Sequence, residues 1–120
     1  LDEVSLNGPT TVRLIEGGKL HRLRWTPDDF GLPRVPLENL RARDAVHSAE
    51  LVCGLLQGQS GGPRWIVLAN AAAALWLTGK ADSLQAGVDQ AADALDSGAA
   101  WQVLQTLVEL SKQEAPANAG

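Results

Sequence analysis

Thr10-Thr11-Val12-Arg13-Leu14-Ile15-Glu16-Gly17-Gly18-Lys19-Leu20-His21-Arg22-Leu23-Arg24-Trp25 decides how the first part of this chain folds. A Gly-Gly pair supplies the positive φ angles of a two-residue hairpin turn. Folding about Gly17-Gly18 sets Glu16 opposite Lys19, Leu14 opposite His21, Val12 opposite Leu23 and Thr10 opposite Trp25. One face then collects Val12, Leu14, Leu23 and Trp25, while the other collects Thr11, Arg13, Arg22 and Arg24. Turn chemistry and face separation agree on this register, and a slip of one residue would reverse every side chain. A β-hairpin is therefore expected.

Outward from the hairpin, Val4 to Leu6 reads as a short strand ended by Asn7-Gly8-Pro9. On the other side, Thr26-Pro27-Asp28-Asp29 has an N-cap residue, a proline at the first helical position and acids in the first turn. Gly31 and Pro33 limit that helix to one turn. Pro33 and Pro36 mark an extended connector, and Leu37 to Arg41 suggests another turn. From Asp44 onward the pattern is helical. Asp44 caps a helix to about Gln57, with Ala49, Val52, Cys53 and Leu56 on its apolar stripe. Gly58 to Gly62 is a loop. Pro63 opens an apolar helix that Gly79 closes and that is expected to be buried on most sides, with Asn70 hydrogen-bonded to backbone. Asp82 or Ser83 caps the next, where Leu84, Val88, Ala91 and Leu95 recur at helical spacing. Asp96-Ser97-Gly98 ends it, and Trp101, Leu104 and Val108 line the last helix.

The expected fold class is α/β: a short strand and a hairpin followed by about four helices. A lone hairpin offers little sheet for so apolar a central helix, and isolated hairpins are marginal in water. Residues 1–113 are therefore expected to be the C-terminal portion of a larger α/β domain, with 114–120 a disordered tail. A start on Leu1 without methionine or leader fits that expectation. The alternative is a complete small α+β domain stabilised as an oligomer.

Composition narrows the function. The 120 residues are 45% hydrophobic and carry a net charge of −4, which argues against a nucleic-acid partner, since such binders are usually basic. A single cysteine, Cys53, excludes an internal disulfide and fits a reducing, cytoplasmic setting. Trp65 to Leu77 is apolar except for Asn70 but shorter than the roughly 20 residues of a bilayer helix, so no membrane partner is expected.

Few residues carry chemistry. Asp2 and Glu3 are adjacent carboxylates able to share Mg²⁺ if the backbone turns there, as it does at strand ends; otherwise they are a solvated acidic pair. Arg13, Arg22 and Arg24 form either an anion-binding cluster or a solvated outer face. His21 and His47 show no metal-ligand spacing. Gly58-Gln59-Ser60-Gly61-Gly62 lacks the lysine and the preceding strand of a phosphate loop.

Ordered blocks add a resemblance. Leu1-Asp2-Glu3-Val4-Ser5, Gly8-Pro9-Thr10, Asp28-Asp29-Phe30-Gly31-Leu32, Leu68-Ala69-Asn70-Ala71-Ala72-Ala73-Ala74-Leu75, Gly79-Lys80-Ala81 and Asp96-Ser97-Gly98-Ala99-Ala100 resemble anthranilate phosphoribosyltransferases, in the same order. The resemblance implies transfer of a phosphoribosyl group from phosphoribosyl pyrophosphate to anthranilate in tryptophan biosynthesis, with release of pyrophosphate. It implies Mg²⁺ held by Asp2 and Glu3, and a homodimer formed through a helical domain. In the family the glycine-rich phosphate loop, a second basic substrate loop, the dimerisation domain and the arginine that meets anthranilate all precede these blocks. The 120-residue chain alone is therefore expected to be inactive, poorly stable and rich in exposed apolar surface. Two other readings are a pyrimidine nucleoside phosphorylase-like enzyme and a non-catalytic interaction module.

Overall fold

A computed structural model describes residues 3–114 of the chain. Strands β1 (Thr10–Glu16) and β2 (Lys19–Trp25) form an antiparallel hairpin. Its register joins Thr10 to Trp25, Val12 to Leu23, Leu14 to His21 and Glu16 to Lys19, as the turn chemistry predicts. Gly17 and Gly18 both take left-handed backbone, with φ of 58° and 75°, which a side chain would disfavour. Val12, Leu14, Leu23 and Trp25 are half-buried on the inner face. The Ile15–Leu20 pair lies on the outer face, 77% and 58% exposed.

Trp25 links the hairpin to the rest. Its ring meets Phe30 edge-on with centroids 5.7 Å apart and Trp76 edge-on at 5.6 Å, the favoured geometry for aromatic pairs. Phe30 closes the 3-10 turn Pro27–Phe30 and is almost fully buried. Asp29 accepts the Thr26 backbone N–H at 2.7 Å, fixing the start of that turn. A second short turn, Leu37–Asn39, follows the proline-rich connector.

Four helices complete the chain: α1 (Ala45–Leu56), α2 (Gly62–Leu77), α3 (Leu84–Asp96) and α4 (Ala99–Glu114). Asp44 and Ser83 cap α1 and α3 by accepting the N–H groups of His47 and Ala86. Gly79 and Gly98 follow α2 and α3 with φ of 75° and 84°, the left-handed geometry that terminates helices. α2 and α3 pack through a seam of small residues. A Cβ on Gly87 would lie 2.9 Å from both the Cα and the carbonyl oxygen of Ala72, so the helix backbones are nearly in contact there. At one end of this antiparallel pair Arg64 meets Asp96. Nη2 donates to Oδ2 at 3.1 Å, and Nη1 lies 2.9 Å from Oδ1 without hydrogen-bond geometry.

Four expectations need correction. Residues 4–6 do not form a strand: the Val4 N–H and C=O are both taken by the Asn70 side chain, and the Leu6 C=O accepts from Val35 N–H. The inward alternation of Val4 and Leu6 is real, but a ladder partner is replaced by side-chain and single backbone bonds. On α1 the inner stripe runs through His47, Leu51 and Leu55, leaving Ala49 and Val52 exposed. That helix is apolar on more than one side, so spacing alone does not choose the face. Val108 of α4 is exposed, while Trp101 and Leu104 are half-buried. On α2, full burial is confined to Leu68, Ala69 and Ala72, with most other positions half-buried and Leu77 65% exposed.

The whole is expanded for its size. The radius of gyration is 16.5 Å, where a compact domain of this length has about 13–14 Å. Val46, Leu77, Val103 and Leu107 are all more than half exposed, which fits the expected apolar surface. α4 reaches Glu114, the first residue of the expected tail, and residues 115–120 lie outside those described. No helix among the described residues is long and apolar enough to cross a membrane.

Candidate functional site

The segment 3–9 has no regular structure, yet each turn of its path is held. Leu6 is fully buried and Val4 nearly so. The Ser5 N–H donates to the Thr10 hydroxyl oxygen at 3.0 Å, and the Asn7 N–H donates to Ser5 Oγ at 3.1 Å. Arg34 Nε donates to the Asn7 C=O at 2.8 Å. At the other end, Asn70 Oδ1 accepts the Val4 N–H at 3.0 Å while its Nδ2 donates to the Val4 C=O at 3.2 Å and to the Ile66 C=O at 3.0 Å. One amide from the middle of α2 thus satisfies both backbone groups of a residue 66 positions away. Buried polar groups need such partners.

This loop, the first half of β1 and α2 enclose the largest cleft described, about 680 Å³. Glu3, Ser5, Thr10, Arg13 and Asn70 are among its walls, with Val12, Trp25 and Leu37 supplying apolar surface. A carboxylate, a guanidinium, hydroxyls and an amide converge on one space, and that mixture suits a charged ligand carrying several oxygens.

The expected site residues divide. Asp2 lies outside the described residues; Glu3 is exposed and on the cleft wall. Arg13 faces the cleft, opposite Arg22 in the register, but Arg24 lines a separate hollow of about 360 Å³ with Asp29 and Gln85. All three arginines lie exposed on the outer face of the hairpin, and only Arg13 borders the cleft. His21 is exposed on β2, and His47 Nδ1 accepts the Arg43 N–H at 3.0 Å in a local turn. Cys53 is half-buried on α1. Gln59 and Ser60 of the glycine-rich loop line only a hollow of about 110 Å³ beside Leu55 and Arg64. Ser5, Thr10 and Asn70 were not expected at the cleft. Asn70 carries a signal, as a polar residue inside an apolar helix; nothing in the local pattern marks the other two.

The donor set bears on Mg²⁺. Among the described residues no group of three or more His, Cys, Asp or Glu side chains could hold a metal. The chain therefore offers no all-protein cage within that range. Mg²⁺ keeps waters and is commonly bound through one or two carboxylates plus substrate phosphates. Glu3 on a cleft wall, next in sequence to Asp2, fits that second arrangement.

The sequence model of the Glycosyl transferase family, a/b domain, matches residues 1–101. The chain belongs to this family. It is 40% identical over 116 residues to the anthranilate phosphoribosyltransferase of Xanthobacter autotrophicus, covering 97% of this chain and 34% of that protein. The crystal structure of anthranilate phosphoribosyltransferase from Thermus thermophilus superimposes with a TM-score of 0.76 at 35% identity, covering 91% of this chain and 32% of that one. A serine-to-alanine variant of the Saccharomyces cerevisiae enzyme, with Mg bound, gives 0.78 at 28% identity, covering 88% and 31%. The chain thus spans about a third of the length of the curated relatives it matches. Within the Glycosyl transferase family match lie the loop, the hairpin and α1 to α3, so the whole cleft belongs to the shared a/b architecture; most of α4 lies beyond it.

Proposed function

We propose that this chain is the Mg²⁺–pyrophosphate side of an anthranilate phosphoribosyltransferase, acting in tryptophan biosynthesis. The observation that carries the proposal is the match of residues 1–101 to the Glycosyl transferase a/b domain, with relatives named for that activity. In the reaction the bond from ribose C1 to pyrophosphate breaks, the anthranilate amine forms the new C1–N bond, and the amine loses a proton. Asp2 and Glu3 would hold Mg²⁺. When bound there, the ion neutralises negative charge on the departing pyrophosphate. Val4, clamped by Asn70, fixes where the Glu3 carboxylate starts from. Arg13 presents a guanidinium to the same cleft, where it can pair with an anionic substrate oxygen. The complete enzyme is expected to be a cytoplasmic homodimer that uses phosphoribosyl pyrophosphate and anthranilate. The 120-residue polypeptide alone is expected to be inactive, since it is a third of its relatives' length.

A chimera tests this. Residues 1–114 replace the matching third of the Xanthobacter autotrophicus relative, and anthranilate consumption is followed with phosphoribosyl pyrophosphate and Mg²⁺. Activity is expected, and the Asp2→Asn/Glu3→Gln double variant should lower kcat/KM on the order of 100-fold. A folded chimera that leaves anthranilate untouched, or a double variant that matches its parent, overturns the proposal.

A further inference from the structure

We infer that Asn70 is a positioning residue for the Glu3 carboxylate: it locks the peptide unit that joins Glu3 to Val4. The inference rests on the reading of Asp2 and Glu3 given above and adds a residue to it from the far side of the chain. The Val4 N–H is half of the Glu3–Val4 peptide group, and it donates to Asn70 Oδ1 at 3.0 Å. Because a peptide group is planar, holding that N–H also holds the Glu3 carbonyl and the direction of the Glu3 Cα. The second bond, from Asn70 Nδ2 to the Val4 C=O at 3.2 Å, prevents rotation about the first.

Asn70 is itself fixed. Nδ2 also donates to the Ile66 C=O one turn back at 3.0 Å, and the preceding residue, Ala69, is fully buried. The anchor therefore sits on a rigid helix, while the carboxylate it serves sits on an irregular loop. Glu3, Val4 and Asn70 all face the 680 Å³ cleft. Outer groups that orient metal ligands commonly change metal affinity 10–100-fold when removed. An asparagine in the otherwise apolar run Trp65 to Leu77 is then explained by the loop it grips, with no need for contact with substrate.

The test reads metal binding directly. Mn²⁺ is titrated, with pyrophosphate present, onto the chimera described above and followed by the loss of free-ion electron paramagnetic resonance signal. Asn70→Leu keeps the volume and removes the clamp; Asn70→Ala removes both. Each is expected to weaken Mn²⁺–pyrophosphate binding by about tenfold or more. Leu55→Ala is the control: it removes a buried side chain on α1, lowers stability and should leave the metal affinity of the folded chain unchanged. Parent-like binding by both Asn70 variants overturns the inference while leaving the Asp2–Glu3 site standing. Equal weakening by Leu55→Ala overturns it too, because loss of stability would then account for the effect. If the parent chimera binds no Mn²⁺–pyrophosphate, the carboxylate site fails and the inference falls with it.

Discussion

The segment 3–9 has neither ladder nor helix, yet Leu6 is fully buried and Val4 is 8% exposed. α4 has sixteen residues of helix, yet Val103, Leu107 and Leu110 are each more than half exposed. Regular backbone and fixed position are therefore different properties in this molecule. α4 satisfies its own backbone internally, and only its first half is placed by packing, through Ala100 on the core and the half-buried Trp101 and Leu104. The loop cannot do so, and it borrows partners from α2, β1 and the proline-rich connector. The borrowed bonds tie it to three different elements. The cleft lies where the borrowing is densest. A site needs its groups at set positions, and long-range ties set positions where local helix formation does not.

Leu6→Ala should break the loop side of this comparison hardest. Truncating a fully buried leucine costs about 3 kcal/mol, a large part of the 5–15 kcal/mol that a domain has. Urea unfolding should show that loss, with faster amide exchange at Val35, whose N–H is held by the Leu6 carbonyl. A loss under about 1 kcal/mol, of the size typical for exposed sites, would mean that the loop is no better anchored than α4.

A smaller effect is expected at the α2–α3 seam that carries the Asn70 anchor. In an exposed helix interior Gly→Ala gains about 1 kcal/mol. At Gly87 the added methyl would meet the Cα and carbonyl oxygen of Ala72 at 2.9 Å, and backbone atoms cannot rotate out of the way. Overpacking costs about 1–3 kcal/mol, so Gly87→Ala should be a net loss of about 1 kcal/mol and lower Tm by about 4 °C. A rise in Tm would show that the helices separate easily, and the platform behind Asn70 would then be softer than the packing indicates.

The same contrast explains what could be read in advance. The hairpin was legible because Gly17-Gly18 and the alternation of Val12, Leu14, Leu23 and Trp25 make one register consistent with both. Helix starts were legible at Asp44 and Ser83 because a cap is a contact between residues three apart. The inner face of α1 was legible only in part: Leu56 of the expected stripe packs against the core, but Val46 and Val52 compete with Leu51 and Leu55, and only the neighbours decide. The strand expected at Val4 to Leu6 failed for a related reason: alternation reports burial, but a strand also requires a partner, and here Asn70 stands in for one. Of the site, the adjacent carboxylates and the oddity of Asn70 stood out along the chain. That Asn70 grips Val4, the residue after them, depends on a separation of 66 residues, which no local pattern encodes.

The smallest change in stability belongs to α4. Val103, Leu107 and Leu110 follow one another at spacings of four and three, so they form a single stripe on one side of the helix. Exchanging all three for glutamine removes side chains that are 69%, 58% and 52% exposed. Each site is expected to stay within about 0.5 kcal/mol of neutral, as is usual for exposed positions. Glutamine is also a good helix former, so propensity does not oppose the change. The effect should instead appear at the surface: an apolar stripe of this kind binds hydrophobic dyes, and the triple variant should lower the fluorescence of added anilinonaphthalene sulfonate while the far-ultraviolet dichroism stays constant. A loss of helix, or of several kcal/mol, would show that the stripe is packed against something in solution, and α4 would then share the anchored character of the loop.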